Sequence, residues 1–333
     1  MIINGIDVDA LTPSLGQAFP AEIAGKVLQL DGDAQCYKVA YDDTVPLAVV
    51  INNYFSSVEM RRKMSGAEFV NIHLTGQNKG GRYELATVKK YQGNRDGKIK
   101  PVNLEPLRDY LSSYKPKPEE NFNILLHTTQ EADDGMVQEN FKAIQAGNRQ
   151  LSVIMAEDKD LTMASGLHCD WNTFKITDVD GFGSIYLDDS TSTKKIKGFG
   201  TSFFWAQLLT GDAADNIPGL EMLGSEMLEK FDPLSKPTPK RKPKKIGPVL
   251  AYNILKDCKS DIVAFHTVVQ CYRDYYGIQH SYTAWDGTEM LRTSAEMLME
   301  QAALLWMRRV PGETPNLWFK DVVDGKKWDG EVL

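Results

Sequence analysis

The sequence is poor in the residues that form disulfide frameworks and zinc sites. Its four cysteines are scattered without a C-x-x-C pair, and its five histidines form neither an H-x-x-x-H nor an H-E-x-x-H pattern. These absences argue against a disulfide-stapled fold and against a zinc ribbon. A metal site in this chain would therefore be built from oxygen ligands, which suit Mg²⁺ or Mn²⁺.

Long apolar runs are missing as well. No apolar stretch approaches the ~18 residues of a membrane-spanning helix. Residues Met1–Gly5 lack the basic and apolar regions of a signal peptide. We therefore expect no membrane association and a cytoplasmic location. The 333 residues suffice for one large domain or two modest ones.

Positive charge is in the minority but is unevenly distributed. The chain has 38 Lys and Arg residues against 45 Asp and Glu residues, and its net charge of −7 by itself argues against a nucleic-acid partner. However, one short segment gathers Lys79, Arg82, Lys89, Lys90, Arg95, Lys98 and Lys100. A second run, 236–245, reads K-P-T-P-K-R-K-P-K-K without an acid. Each is either a solvated surface or a phosphate-binding surface.

Short apolar segments alternate with helical patterns up to Thr201. Strands are predicted at 26–30, 69–74, 122–127 and 151–156, and a helix at 131–146, whereas 47–54 fits either type. The alternation predicts an α/β fold with a mainly parallel central sheet flanked by helices. Beyond Thr201 the pattern is largely helical, with 290–307 as its longest periodic stretch.

Acidic residues gather in four groups, three of them at or just past the ends of predicted strands. The groups are Asp31; Glu131, Asp133 and Asp134; Asp158 and Asp160; and Asp212 and Asp215. Each group alone fits a turn, a helix cap or a solvated loop. Together, at one edge of a parallel sheet, they are hard to explain as caps. Such a cluster can hold two divalent ions ~4 Å apart for phosphodiester hydrolysis.

With these groups the chain resembles the 5′-nuclease superfamily of flap endonucleases and 5′–3′ exonucleases, and most of all its bacteriophage members. The segment 27–33 is similar to the first strand of that family with its metal-binding Asp. Glu131-Ala132-Asp133-Asp134 matches an E-A-D-D element, and Asp158-Lys159-Asp160-Leu161 matches a D-K-D-L element. The segment 211–219 matches the G-D-x-x-D-N-I-P-G signature. The resemblance spans roughly residues 27–256.

The resemblance implies a PIN-like core at 1–205 with a helical arch at about 76–100. It also implies a helix–three-turn–helix DNA-binding region at 206–275 with a basic insertion at about 222–244, and a C-terminal helical region at 276–333. Lys89, Lys90 and Arg95 of the arch would act on the scissile phosphate. The residues expected to bind DNA are Lys79, Arg82, Tyr83, Lys89, Lys90, Tyr91, Arg95, Lys245 and Gly247.

The implied activity is 5′→3′ exonuclease and structure-specific flap cleavage with two Mg²⁺ ions, for which Mn²⁺ could substitute. Asp31, Glu131, Asp133 and Asp134 would hold or support one ion, and Asp158, Asp160, Asp212 and Asp215 the other. A potassium ion is implied at the helix–three-turn–helix. The implied partner is double-stranded DNA with 5′ ends, flaps or RNA primers, bound by a monomer, in the host cytoplasm if the protein is phage-encoded.

Two departures from the family pattern stand out. Where the family has an Asp at the end of its second strand, this chain has His73-Leu74-Thr75-Gly76, and Gln92 replaces an arch lysine. The missing acid motivates an alternative in which the chain binds DNA as a catalytically impaired scaffold. A third reading takes Asp31-Gly32-Asp33 as the D-x-D motif of a small-molecule phosphatase, which leaves 211–219 unexplained.

Overall fold

A six-stranded sheet forms the centre of the computed structural model, which describes residues 2–3, 6–7, 19–77, 79–233 and 241–322. The spatial order is β5–β4–β3–β6–β7–β8, with only the last pair antiparallel. The strands are β3 (Ile23–Asp31), β4 (Ala67–Thr75), β5 (Phe122–His127), β6 (Ser152–Met155), β7 (Gly166–Cys169) and β8 (Ile176–Val179). The predicted mainly parallel α/β fold is confirmed.

Small antiparallel pairs complete the strands. They are β1 (Ile2–Ile3) with β2 (Ile6–Asp7), β9 (Ser184–Asp188) with β10 (Lys195–Phe199), β11 (Met222–Leu223) with β12 (Lys244–Lys245), and β13 (His280–Thr283) with β14 (Glu289–Arg292).

The helices lie on both faces of the sheet and dominate the second half of the chain. They are α1 (Gly32–Val39), α2 (Leu47–Met64), α3 (Arg82–Leu85), α4 (Leu104–Ser113), α5 (Ala132–Gln145), α6 (Thr201–Thr210), α7 (Ser225–Phe231), α8 (Pro248–Leu255), α9 (Asp261–Tyr276), α10 (Ser294–Leu305) and α11 (Pro315–Val322). The ambiguous segment 47–54 forms the first half of α2, whose buried Val50, Tyr54 and Val58 recur at helical spacing. No helix in the described ranges has the length and apolar character of a membrane span.

Alternation along the strands separates two chemically different faces. Leu28, Leu30 and Ile72 belong to an apolar core shared with α1, α2 and α4. The alternate residues Gln29 and His73 lie on the face covered by α5. The sheet therefore has one apolar face and one face with a buried polar row.

The segment predicted as a helical arch has a different structure. Within the described part of 76–100, helical turns are limited to α3 and a 3₁₀ turn at Gly93–Arg95. Positive φ angles at Gly80, Gly81 and Gln92 interrupt the backbone, because left-handed residues do not continue an α-helix. The arch prediction is therefore wrong for these residues.

The C-terminal region is not purely helical. The predicted helix at 290–307 begins instead at α10, because Thr293 and Glu296 form a capping box that starts the helix after β14. The preceding residues Met290–Arg292 pair with β13 as a hairpin. The prediction of a helical region at 276–333 is corrected accordingly.

The predicted insertion begins and ends on a short pair of strands. Met222 pairs with Lys245 and Leu223 with Lys244, between α6 and α8. Residues 234–240, which hold part of the basic run, lie outside the described residues. The assignment of α6 to α8 as a helix–three-turn–helix stays a prediction.

Candidate metal centre

Acids from separate chain segments converge on one cleft of about 690 Å³ at the carboxyl edge of the sheet. Asp31 ends β3, Glu131 and Asp133 lie at the start of α5, Asp158 follows β6, and Asp215 follows α6. Parallel strands bring their carboxyl ends to one edge, so acids distant in sequence become neighbours.

Two of these acids also cap the element that follows them. Asp31 Oδ1 accepts a hydrogen bond from Ala34 N at 2.9 Å, and Asp158 Oδ1 accepts one from Asp160 N at 2.8 Å. Both carboxylates therefore have a structural role as caps, which does not exclude a role in the site. Capping fixes each carboxylate at a defined position in the cleft.

A second group lies beside the first. Oxygens of Asp160, Asp212 and Asp215 all come within 4.8 Å of one another, a spacing that suits a hard cation. Lys159 Nζ lies 2.6 Å from Asp160 Oδ1 and 3.0 Å from Asp212 Oδ1. Gln207 Nε2 donates to Asp160 Oδ1 at 2.6 Å. Carboxylates, rather than imidazole or thiolate, make this group suitable for Mg²⁺ or Mn²⁺.

The backbone of 211–219 explains why the signature has its particular residues. Asp212 and Ile217 exchange two backbone hydrogen bonds of 2.8 Å, which close a tight loop around Asp215. Asn216 adopts φ 60°, and Gly211 adopts φ 71° where a Cβ would lie 2.2 Å from Ile217 O. The loop aims Asp212 and Asp215 at the same point.

Burial and mutual repulsion make the acids hard to ionise together. Burial raises the pKa of Asp31 to about 7, with further contributions from Asp33 and Asp158. Burial likewise raises the pKa of Asp160 to about 7, with Asp158 adding to the effect. The pKa of Asp133 is raised well above its usual value, again chiefly by burial. A divalent cation would reverse these shifts by stabilising the ionised forms.

Cations and polar side chains of the segment that was predicted as an arch face these acids. Lys79 Nζ lies 3.4 Å from Glu131 Oε1, and Arg95 Nη2 lies 2.5 Å from Asp215 Oδ1. Gln92 Nε2 also donates to Asp215 Oδ1, at 2.9 Å. Tyr83, with 43% of its surface exposed, lines the same cleft. The segment therefore forms a cationic wall, defined here as residues 79–100, without being a helical arch.

Arg82 and Asp134 do not lie where the sequence predicted them, at a DNA-binding surface and in the metal site. Their side chains are 1% and 0% exposed and form paired hydrogen bonds of 3.0 and 3.2 Å. Arg82 also donates to the carbonyl oxygens of Leu304 and Trp306. Asp134 lies about 100° around α5 from Asp133, which turns it away from the cleft. Both residues form a buried structural pair.

Tyr91, which was predicted to bind DNA, is buried as well. It is 2% exposed and packs edge-on against Tyr83 with ring centroids 5.6 Å apart. Its hydroxyl donates to Asp215 Oδ2 at 3.2 Å and lies 3.3 Å from Glu131 Oε2. Tyr91 therefore links the acids to the cationic wall, and only Tyr83 of this pair presents an exposed ring.

The remaining predicted DNA-binding residues lie outside the described lining of the cleft. Lys89 is exposed, and Lys90 pairs with Asp96 at 2.6 Å. Lys245 is exposed on β12, and Gly247 precedes α8. The three lysine side chains lie at the surface, and the Lys90 carbonyl oxygen accepts a hydrogen bond from Asn216 Nδ2 at 2.9 Å, beside Asp215.

Asp33 and Arg108 line the cleft and were given no site role by the sequence reasoning. Asp33 lies in the first turn of α1 and accepts a hydrogen bond from Thr75 N at 2.9 Å. Arg108 of α4 donates to Thr75 O at 2.5 Å and lies 3.1 Å from Asp33 Oδ1. The Asp-Gly-Asp spacing was a usable signal for Asp33. Nothing in the sequence around Arg108 signals its position.

Comparison with known proteins gives structural likeness only. No protein-family model and no curated protein matches the chain. The chain is similar to T5 5′-exonuclease with bound zinc, at a TM-score of 0.44 and 17% identity, covering 76% of this chain and 91% of that one. It is also similar to bacteriophage T5 flap endonuclease in a pseudo-enzyme–product complex with DNA and metal ions, at a TM-score of 0.43, 14% identity and the same coverages of 76% and 91%. These values describe similarity of fold and assign no residue a role.

Proposed function

We propose that this protein is a divalent-metal-dependent 5′→3′ exonuclease with structure-specific flap endonuclease activity. The observation that carries the proposal is the convergence of buried carboxylates from four chain segments opposite a cationic wall. Oxygen-only ligand sets of this kind suit Mg²⁺, and phosphodiesters are the substrates for which paired ions and nearby cations are both useful.

Two sets of side chains would hold the ions. Asp31, Glu131 and Asp133 would form one set, and Asp158, Asp160, Asp212 and Asp215 would form the other. When bound, Mg²⁺ would supply Lewis-acid stabilisation of the phosphodiester and activation of water.

The chain's own cations position the substrate. Arg95, with 49% of its side chain exposed, and Lys79, with 25% exposed, can pair with phosphate oxygens at the rim. The exposed ring of Tyr83 offers a stacking surface to a base of any identity. Together these groups would hold a single-stranded 5′ end against the acids without reading its sequence.

Duplex binding is proposed for the region from α6 to α8. Exposed Lys245 and the N-terminus of α8 at Gly247 offer positive charge and backbone amides to phosphates. We also propose that this region binds a potassium ion and that the protein is a monomer. The proposed substrates are DNA duplexes with 5′ ends, flaps or RNA primers.

The experiment compares cleavage of 5′-labelled duplex and flap DNA with Mg²⁺, with Mn²⁺ and with EDTA. We expect cleavage only with metal, and a loss of about 100-fold or more in Asp158→Asn and Asp212→Asn, with DNA binding retained. Asp109→Asn, a substitution of an exposed acid on α4, is the matched control and should cleave normally. Wild-type cleavage rates in Asp158→Asn would refute the metal assignment.

A second candidate is a DNA-binding protein without turnover. It is favoured by the absence of an acid in His73–Gly76 and by the pairing of Lys159 and Arg95 with the acids. Tight DNA binding with no cleavage in either Mg²⁺ or Mn²⁺ would support this candidate against the nuclease.

A further inference from the structure

We propose that Asp33 supplies the metal-binding carboxylate that the end of β4 lacks. The inference rests on the proposed function and adds to it a ligand that the motif comparison does not assign. It concerns the first ion set, which contains Asp31, Glu131 and Asp133.

The end of β4 has no acidic side chain to offer. His73, which is level with Asp31 in the sheet register, is fully buried and bonded through Nδ1 to His127 Nε2 at 2.9 Å and through Nε2 to Gln29 Oε1 at 3.0 Å. Thr75 Oγ1 accepts a hydrogen bond from Ala132 N at 2.9 Å. Both side chains are thus committed to contacts within the fold.

Asp33 reaches this place from the neighbouring strand–helix junction. Its Oδ2 accepts a hydrogen bond from Thr75 N at 2.9 Å, which fixes the carboxylate directly at the end of β4. Asp33 lines the same cleft as Asp31, Asp133 and Asp158. Asp33 of α1 therefore places a carboxylate beside Thr75, the last residue of β4.

Gly32 makes this approach possible. A Cβ at position 32 would lie 2.6 Å from His73 O and 2.7 Å from Ile72 Cγ2. Any side chain there would push the start of α1 away from β4. The Asp31-Gly32-Asp33 sequence thus places two carboxylates beside adjacent strands, with the glycine allowing the close contact between them.

One oxygen of Asp33 is available for a cation. Its Oδ1 is buried and accepts no hydrogen bond from the described residues, although Arg108 Nη2 lies 3.1 Å away. A buried carboxylate oxygen without a hydrogen bond is costly unless a positive charge compensates it. Arg108 provides such a charge in the metal-free protein, and a divalent ion shared with Asp31 would provide it in the loaded protein.

The test measures Mn²⁺ binding directly by electron paramagnetic resonance, without DNA. We expect Asp33→Asn, which keeps an acceptor for Thr75 N, to weaken the affinity for one Mn²⁺ by about tenfold or more. The matched control Asp109→Asn should bind as wild type. Adding Thr75→Asp to Asp33→Asn places a carboxylate on β4 itself and should restore most of the affinity. Circular dichroism verifies folding, and Asp33→Ser replaces Asp33→Asn if the latter does not fold.

The outcomes separate this inference from the proposed function. Mn²⁺ affinity of Asp33→Asn equal to that of wild type, in a protein that cleaves DNA, would overturn the role of Asp33 alone. A double variant that binds no better than Asp33→Asn would overturn its placement at the end of β4. A wild-type protein that neither binds Mn²⁺ nor cleaves DNA would refute both proposals.

Discussion

The acidic edge of the sheet and the cationic wall face each other across the cleft but are held in place by different interactions. Asp31 and Asp158 are fixed by the ends of strands and by caps onto the next turn. The wall is fixed by side chains that come from far along the chain. Glu300 of α10 accepts hydrogen bonds from the backbone amides of Thr87 and Val88, at 2.8 and 3.0 Å.

The β13–β14 hairpin adds a second anchor to the wall. Trp285 donates its backbone amide to Thr87 O at 3.0 Å and its indole Nε1 to Ala86 O at 2.7 Å. Asp31 and Asp158 thus follow strands of the sheet, whereas residues 86–88 of the wall depend on tertiary contacts with the C-terminal elements. Substitutions in the anchors should therefore disturb the wall while leaving the acids in place.

The largest effect is expected from Arg82→Met, which removes the buried cation that joins the two regions. Asp134 and Glu131 would lose a partner at 3.0 and 2.9 Å and stay buried. We expect a loss of about 3–5 kcal/mol in the free energy of unfolding, measured with urea. Lys142→Met, in the exposed pair with Glu139, is the control and should cost less than about 1 kcal/mol. Equal losses in both would contradict the importance of the buried pair.

Metal should stabilise the acidic edge in a pH-dependent way. The pKa values of Asp31 and Asp160, raised to about 7 by burial, exceed the unfolded value of about 3.9. In the metal-free protein, the contribution of these two carboxyl groups to the free energy of unfolding should therefore be fully present below pH ~4. It should be lost as the pH rises through 7. Mg²⁺ at 100 times its Kd should add about 2.7 kcal/mol at pH 8 and less at pH 5, measured by thermal unfolding. A larger gain at pH 5 would contradict this.

Glu300→Gln should loosen the wall without touching the acids. Glu300 also lies 2.7 Å from Arg292 and accepts a hydrogen bond from the Thr87 hydroxyl, so the change removes the charge partner of the half-buried Arg292 and an acceptor for Thr87. We expect a loss of about 1–3 kcal/mol in unfolding free energy and faster hydrogen exchange at Thr87 and Val88. Exchange at Leu30 and Ile154 in the sheet should stay slow. Uniformly faster exchange would indicate global destabilisation instead.

The smallest effect is expected from removing one rim cation. Lys79→Ala should weaken DNA binding to a similar extent for all sequences and reduce the slope of log K against log salt by about 1. Lys63→Ala, a substitution of an exposed cation on α2, is the control. An unchanged salt slope in Lys79→Ala would exclude a phosphate contact at this position.

The difference between the two regions also explains what the sequence could predict. Strand periodicity located β3, β4, β5 and β6. Because ligand sites form at the carboxyl edge of such sheets, it also located Asp31 and Asp158. The loop around Asp215 was recognisable because its glycines and Asn216 satisfy specific backbone angles.

The wall was not predictable in the same way. Whether Arg82 faces solvent or Asp134 depends on carbonyl groups of Leu304 and Trp306, and sequence proximity says nothing about such contacts. Likewise, no sequence pattern distinguishes Tyr83 from Tyr91, yet only Tyr83 is exposed. Positions set by long-range packing require the assembled fold.

The anchoring of the wall by Trp285 and Glu300 limits how this chain can be shortened. A fragment that stops before β13 would keep every carboxylate of the cleft but lose both anchors of residues 86–88. Such a fragment would also lose Gln301, whose Oε1 accepts a hydrogen bond from Gly219 N at 3.0 Å, and the apolar side chains of α10 that pack in one core with α6. The C-terminal elements therefore belong to the smallest working unit, although no carboxylate assigned to the ion sets comes from them.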